Sequence, residues 1–226
     1  MNTSALLIAD EDLIAIDLKR KLQTVRPYQI FDRVAQPTNG RETTIKIPQR
    51  KDLPLLETAL LIAALKSVKA RRIFEFGTYL GNTTLNLALN SPDDAEVFTF
   101  DLPPGLDIQQ HPEDVPFTRE HFAVPALAFA GSRVESKITI LTGNSLTADL
   151  SRFDKSMDFI FIDGGHDLAT VTADTSNAIK MVRPGGCIAW HDYQNARYPE
   201  LTEYLESLPQ RPVAVGDTML AFWFDE

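Results

Sequence analysis

A chain of 226 residues with 44% hydrophobic residues suits one α/β domain with an extension and excludes a disordered chain. The net charge of −9 argues against general binding to nucleic-acid backbones, which needs clustered Lys and Arg. The single cysteine, Cys187, excludes an intrachain disulfide, no apolar run is long enough to span a membrane, and Met1 to Asp10 lacks a signal-peptide pattern, so a cytoplasmic protein is expected.

Residues 1–51 read as an N-terminal helical extension or cap. Leu6, Leu7, Ile14, Ile16, Leu18 and Leu22 give the helical signal from Ser4 to Val25. The opening resembles a response-regulator receiver, but no strand from Val34 to Ile47 ends in a phospho-accepting Asp, so that reading is rejected. The segment suits a lid over a pocket or a surface for a homodimer. Pro27, Pro37, Gly40 and Pro48 then punctuate a poorly periodic connection, Arg26 to Lys51.

Asp52 and Pro54 mark a helix start. Leu55, Leu56, Ala59, Leu60, Ala63, Ala64 and Val68 recur at helical spacing. The next stretch, Arg72 to Leu89, organises the chain. Ile73, Phe74 and Phe76 suit a buried first strand, Gly77 breaks it, and a helix starts after Gly81. Strand, glycine turn and helix present backbone N–H groups to a cofactor. The spacing is Glu75-x-Gly77-x-x-x-Gly81. It lacks the extra glycine of a dinucleotide fingerprint and has Tyr79 and Leu80 where a pyrophosphate would approach. A cofactor without phosphate at that point fits better.

Glu96 to Asp101 is a second strand. Its terminal acid follows the glycine turn by the interval that places a carboxylate at a ribose. Residues 102–133 read as an insertion near a pocket, with a loop and a short helix. Lys137 to Leu141 forms a third strand, followed by Thr142-Gly-Asn-Ser145. Met157 to Asp163 is a fourth, nearly continuous apolar strand that stops at Gly164-Gly-His-Asp167. A helix follows, with Val171, Ala178, Ile179 and Val182 inside and Asp174 outside. Arg183 to Gly186 ends it, and Cys187 to Trp190 is the fifth strand, with His191-Asp192-Tyr193 at its end. Tyr198 to Leu208 is a last helix. Arg211 to Gly216 and Thr218 to Phe224 form a hairpin.

The Glu75, Gly77, Gly81 pattern resembles the first motif of class I S-adenosylmethionine (SAM)-dependent methyltransferases. Phe-Ile-Asp-Gly-Gly-His (161–166), Met-Val-Arg-Pro-Gly-Gly (181–186) and Trp-His-Asp-Tyr (190–193) resemble the bacterial small-molecule O-methyltransferase subgroup that includes macrocin-type enzymes. The resemblance implies a doubly wound, Rossmann-like α/β fold over residues 52–226. It implies a seven-stranded, mostly parallel sheet with a C-terminal antiparallel hairpin. It also implies that Gly77, Thr78, Tyr79 and Gly81 wrap the methionine part of SAM while Glu75 holds its ammonium. Asp101 then holds the ribose, Asn144 and Ser145 the adenine, and Asp163 completes the cofactor set. Many relatives carry an acid at position 144; here the side-chain carbonyl of Asn144 takes that role without charge.

The implied function is SAM-dependent methyl transfer to a small molecule, with oxygen preferred as acceptor and no nucleic acid or membrane partner. His166, His191 and Asp192 are the catalytic candidates. In one mechanism a histidine is the general base. In another, Asp163, His191 and Asp192 hold a divalent metal such as Mg²⁺, although histidine is softer than Mg²⁺ prefers. Structural roles also stand open: His166 as a helix cap, His191 as a hydrogen-bonded core residue. Two other functions remain. An NAD-dependent oxidoreductase would need the missing glycine, and a non-catalytic SAM-binding protein would bind SAM without transferring methyl.

Overall fold

The computed structural model describes residues 21–35, 44–47, 53–103, 111–123 and 126–225. The strands and helices over 53–103 follow the local pattern: α2 (Leu55–Ser67), β2 (Arg72–Phe76), α3 (Asn82–Asn90) and β3 (Glu96–Asp101). Before them lie β1 (Gln23–Val25) and α1 (Pro27–Ala35). After them come α4 (Val115–Ala123), β4 (Ile138–Thr142), β5 (Met157–Ile162) and α5 (Leu168–Met181). The chain closes with β6 (Val182–Trp190), α6 (Pro199–Ser207), β7 (Val213–Val215) and β8 (Ala221–Phe224).

The strands form one sheet in the order β1-β7-β8-β6-β5-β2-β3-β4. Only β8 runs antiparallel to its neighbours β6 and β7. Strands β2 and β5 are central and buried on both faces, so their sequences are apolar without strict alternation. Phe74, Ile160 and Ile188 face a core shared with Val171 and Ala178 of α5 and Leu201 and Leu205 of α6. Ile73, Phe159, Phe161 and Ala189 face the opposite core with Leu60 and Ala64 of α2 and Leu87 of α3. Helices on both faces leave the carboxyl ends of β2 to β6 on one edge, where open α/β sheets bind ligands.

Four expectations need correction. The described sheet has eight strands where seven were expected, because β1 adds parallel to β7 through Gln23 with Val213 and Val25 with Val215. That strand lies inside the segment read as helical; residues 1–20 fall outside the described residues. Pro27–Ala35 is a helix where an irregular connection was expected, and Pro27 at its first position supplies a preset φ. Arg183 to Gly186 belongs to β6 where a simple helix stop was expected, at a register break between the Met157–Val182 and Phe159–Cys187 pairs. Asp174 is buried, at 2% exposure, where an outward position was expected. It shares the inner stripe of α5 with Val171, Ala178 and Met181, as the three- and four-residue spacing requires.

Candidate active site

The glycine turn sits where β2 meets α3. Gly77 has φ +95°, and a Cβ there would stand 2.1 Å from the backbone oxygen of Asp163. Glycine is needed for contact with the next strand end as well as for the turn. Gly81, at φ +78°, packs under Phe129 in the same way.

Asp101 ties this turn to β3. Its Oδ2 accepts the N–H groups of Thr78 at 2.8 Å and Tyr79 at 2.9 Å, and its Oδ1 accepts the N–H of Leu102 at 2.7 Å. Glu75 lies one layer below. It is 1% exposed, and Oε2 accepts the hydroxyls of Thr84 and Thr99. Burial is the main cause that pushes its pKa up to about 8, with Asp163 and Asp101 adding repulsion against the two threonine bonds. Glu75 is a neutral acid at pH 7.

A cavity of about 540 Å³ opens over the strand ends, within the usual range for small-molecule sites. Gly77, Tyr79, Asp101, Asn144, Ser145, Asp163, His166, His191 and Asp192 line it. Among the expected site residues, Glu75, Thr78 and Gly81 do not. The assignment of Glu75 to a cofactor ammonium is corrected on this ground: its carboxyl points between β2, β3 and α3 and braces the turn from behind. Thr78 reaches Thr99 through its hydroxyl at 2.7 Å, and Gly81 gives the helix start its backbone. Asn144 spends its side-chain carbonyl on the N–H of Leu146 at 3.0 Å, closing its own turn.

At the ends of β5 and β6 the polar side chains interlock. His166 Nδ1 meets Asp114 Oδ1 at 2.8 Å, and its Nε2 meets Asp192 Oδ2 at 2.7 Å. The ring stacks on Tyr198 with centroids 4.0 Å apart. His191 Nε2 meets Glu57 Oε2 at 3.0 Å, while Nδ1 faces Asp192 at 3.1 Å and Asp163 at 3.3 Å. Burial alone would lower both histidine pKa values. The bonds and charges of Asp114 and Asp192 outweigh it and hold His166 up at about 10. For His191 the charge and bond of Asp163, then the bonds of Asp192 and Glu57, outweigh burial in the same direction. Burial would raise Asp192, but the two histidines hold it far below the carboxylate range. Both shifts favour the protonated ring, the form that does not serve as a general base. His166 is not the cap of α5 either, since Asp167 accepts the N–H of Thr170 at 3.0 Å.

Asp192 adopts φ +63°, an uncommon setting that Asp tolerates better than most residues. Glu57, Asp114 and Tyr198 were not singled out from sequence as site residues, and Asp174 was expected outside. Glu57 carried a local signal, the lone acid in the otherwise apolar run Leu55 to Leu65. It also accepts the N–H of Met219 at 2.8 Å, which joins α2 to the hairpin.

The family model described as a methyltransferase domain matches residues 74–193, over half of the chain. The chain belongs to this methyltransferase-domain family. The match runs from β2 to the residue after Asp192, so it contains the glycine turn and both strand ends just described. A caffeoyl-CoA O-methyltransferase of Stellaria longipes is 29% identical over 136 residues, covering 58% of this chain and 49% of that protein. The chain spans about half the length of the curated relatives it matches. Two solved structures share the fold. TomG, an O-methyltransferase of Streptomyces achromogenes in complex with SAM, aligns at TM-score 0.52 and 14% identity over 91% of this chain and 92% of its own. An O-methyltransferase of Bacillus cereus in complex with S-adenosylhomocysteine (SAH) aligns at TM-score 0.51 and 18% identity over 87% and 89%. As a methyltransferase-domain chain, it places its family's strand ends around one continuous cavity.

Proposed function

We propose that this chain is a SAM-dependent methyltransferase acting on a hydroxyl of a small molecule. The carrying observation is that one cavity joins two chemically different ends. One is the glycine turn with Asp101 and Ser145. The other is the carboxylate–histidine cluster at β5 and β6. The residues present fit SAM: a glycine turn with Tyr79 and Leu80 where a dinucleotide fold brings its pyrophosphate, a carboxylate at the end of β3, and a buried carboxyl of Asp174 whose Oδ1 has no hydrogen-bond partner. When bound, SAM supplies a methyl group on a sulfonium that leaves as a neutral thioether.

The chain's own contribution is alignment and charge. Gly77 and Asp101 fix the turn that holds the donor. Leu53, Phe117 and Met219 add apolar walls for an acceptor. Asp163, 24% exposed at its side chain, is the most open acid of the cluster and is the group that receives a proton from the acceptor hydroxyl. Alignment of the two reactants is the larger part of such a displacement.

The cluster also fits a divalent cation. One atom each of Asp163, His191 and Asp192 lie within 4.8 Å of one another, and Glu57 stands behind the far ring nitrogen of His191, as carboxylates do behind metal-bound imidazoles. A cation there would lower the pKa of the acceptor hydroxyl. It would compete with the proton on His191 Nδ1. The imidazole favours Mn²⁺ over Mg²⁺.

Calorimetric titration with SAH and, separately, NAD tests the donor. Binding of SAH without NAD is expected, and the reverse sinks the reading. A panel of hydroxylated acceptors including caffeoyl-CoA tests transfer; SAH binding with no transfer to any hydroxyl would point to a binding protein. Activity lost on chelation and restored by Mn²⁺ supports the cation. Full activity in chelator assigns proton removal to Asp163 alone.

A further inference from the structure

We propose that Asp174 reads the adenine of the cofactor, accepting from its exocyclic amino group. This rests on the SAM reading. Asp174 belongs to α5. It is 2% exposed, lines the cavity and lies on the side where Asn144 and Ser145 close the β4 end. Asn177, three residues on, donates to the Ser145 carbonyl at 3.3 Å and holds α5 against that loop.

Three observations point to a ligand there. No hydrogen bond reaches Asp174 Oδ1, and among the described residues no Lys, Arg or His forms an ion pair with this acid. Ser145 bonds the carboxyl, but a buried carboxyl oxygen left without a partner is costly. Gly164 leaves the carboxyl uncovered: a Cβ there would stand 3.2 Å from Oδ2. Asn144, the position from which an adenine contact was expected, has its carbonyl engaged in its own turn. Phe100, Leu102 and Gly143 line the same cavity.

A carboxyl group matches one edge of adenine. Ionised, it accepts from the 6-amino group. Protonated, it also donates to N1. Burial, with the charges of Asp167 and Asp101 against the Ser145 bond, raises its pKa to about 7, so both forms exist at neutral pH. The 6-oxo base hypoxanthine offers an oxygen where adenine offers a donor, and above the pKa of Asp174 that oxygen would face an ionised carboxylate.

The test is calorimetric binding of SAH and of S-inosylhomocysteine, its 6-oxo analogue, to the full chain at pH 8.5, where the carboxyl is ionised. Wild type is expected to prefer SAH by about 10- to 100-fold, the range set by one lost buried hydrogen bond. Asp174→Ala is expected to lose that preference, with SAH weakened by the same factor and the analogue bound as by wild type. Asp174→Asn keeps a carbonyl acceptor and an adjacent donor, and is expected to restore SAH binding to within about threefold of wild type, as amides pair with adenine elsewhere. Equal weakening of both nucleosides in Asp174→Ala overturns the inference, because it marks a structural role. So does a wild type that binds both equally, a result that needs no variant to fold. A wild type that binds neither removes the SAM reading itself.

Discussion

Glu75 gives the sharpest quantitative test of how the glycine turn is supported. Its folded-state pKa is about 8, against an ordinary 4.5. Between those values the unfolded chain has released a proton that the folded chain keeps. Stability is therefore highest at low pH for this group and falls as pH rises from about 4.5 to about 8. From pH 5 to pH 8.5 the loss is about 4 kcal/mol, at ~1.4 kcal/mol per pH unit. Glu75→Gln removes the titration and closely copies the neutral acid. Its carbonyl can take the Thr84 and Thr99 hydroxyls, and its amide occupies the place of Oε1, which has no partner. At pH 5 the variant is expected within about 1 kcal/mol of wild type, and at pH 8.5 about 3–5 kcal/mol more stable. Urea unfolding followed through Trp190 and Trp223 at both pH values measures the difference, in which all other titrations cancel. A gap between the two proteins that does not change with pH would refute the buried neutral acid.

Gly77→Ala is expected to cost several kcal/mol, because its Cβ would meet a backbone oxygen at 2.1 Å, whereas Gly131→Ala, with nothing within 4 Å, costs only about 1 kcal/mol for its positive φ; equal thermal midpoints would contradict this. Asp101→Ala is expected to weaken SAH binding by about 1–3 kcal/mol, read by calorimetry, and unchanged affinity removes the ribose role. Glu57→Gln is expected to raise the Mn²⁺ concentration for half-maximal activity by about 10- to 100-fold. An unchanged metal requirement would leave Glu57 as a prop for Met219 only.

The order of strands, glycine turns and acid-ended strands was legible because those signals are local. Apolar runs of Ile73–Phe76 and Phe159–Ile162 specify buried strands whatever surrounds them, and a glycine at a strand end specifies a turn. The positions of Asp101, Asp163 and Asp192 followed from the same logic, since a parallel sheet brings all its carboxyl ends to one edge. Asp174 was legible too: its spacing from Val171 and Ala178 puts it on the inner stripe, although it was expected outside.

Other features depend on contacts that no local pattern encodes. β1 is three residues long, and only the edge of β7 makes it a strand. His191 meets Glu57 across 134 positions, and His166 meets Asp114 across 52. A histidine in isolation titrates near neutrality, which suits a base. Closed between two carboxylates and shielded from water, it holds its proton more tightly than a free imidazole. The sequence determined which groups stand at the sheet edge; the tertiary structure decided their protonation, because that depends on distance and solvent access.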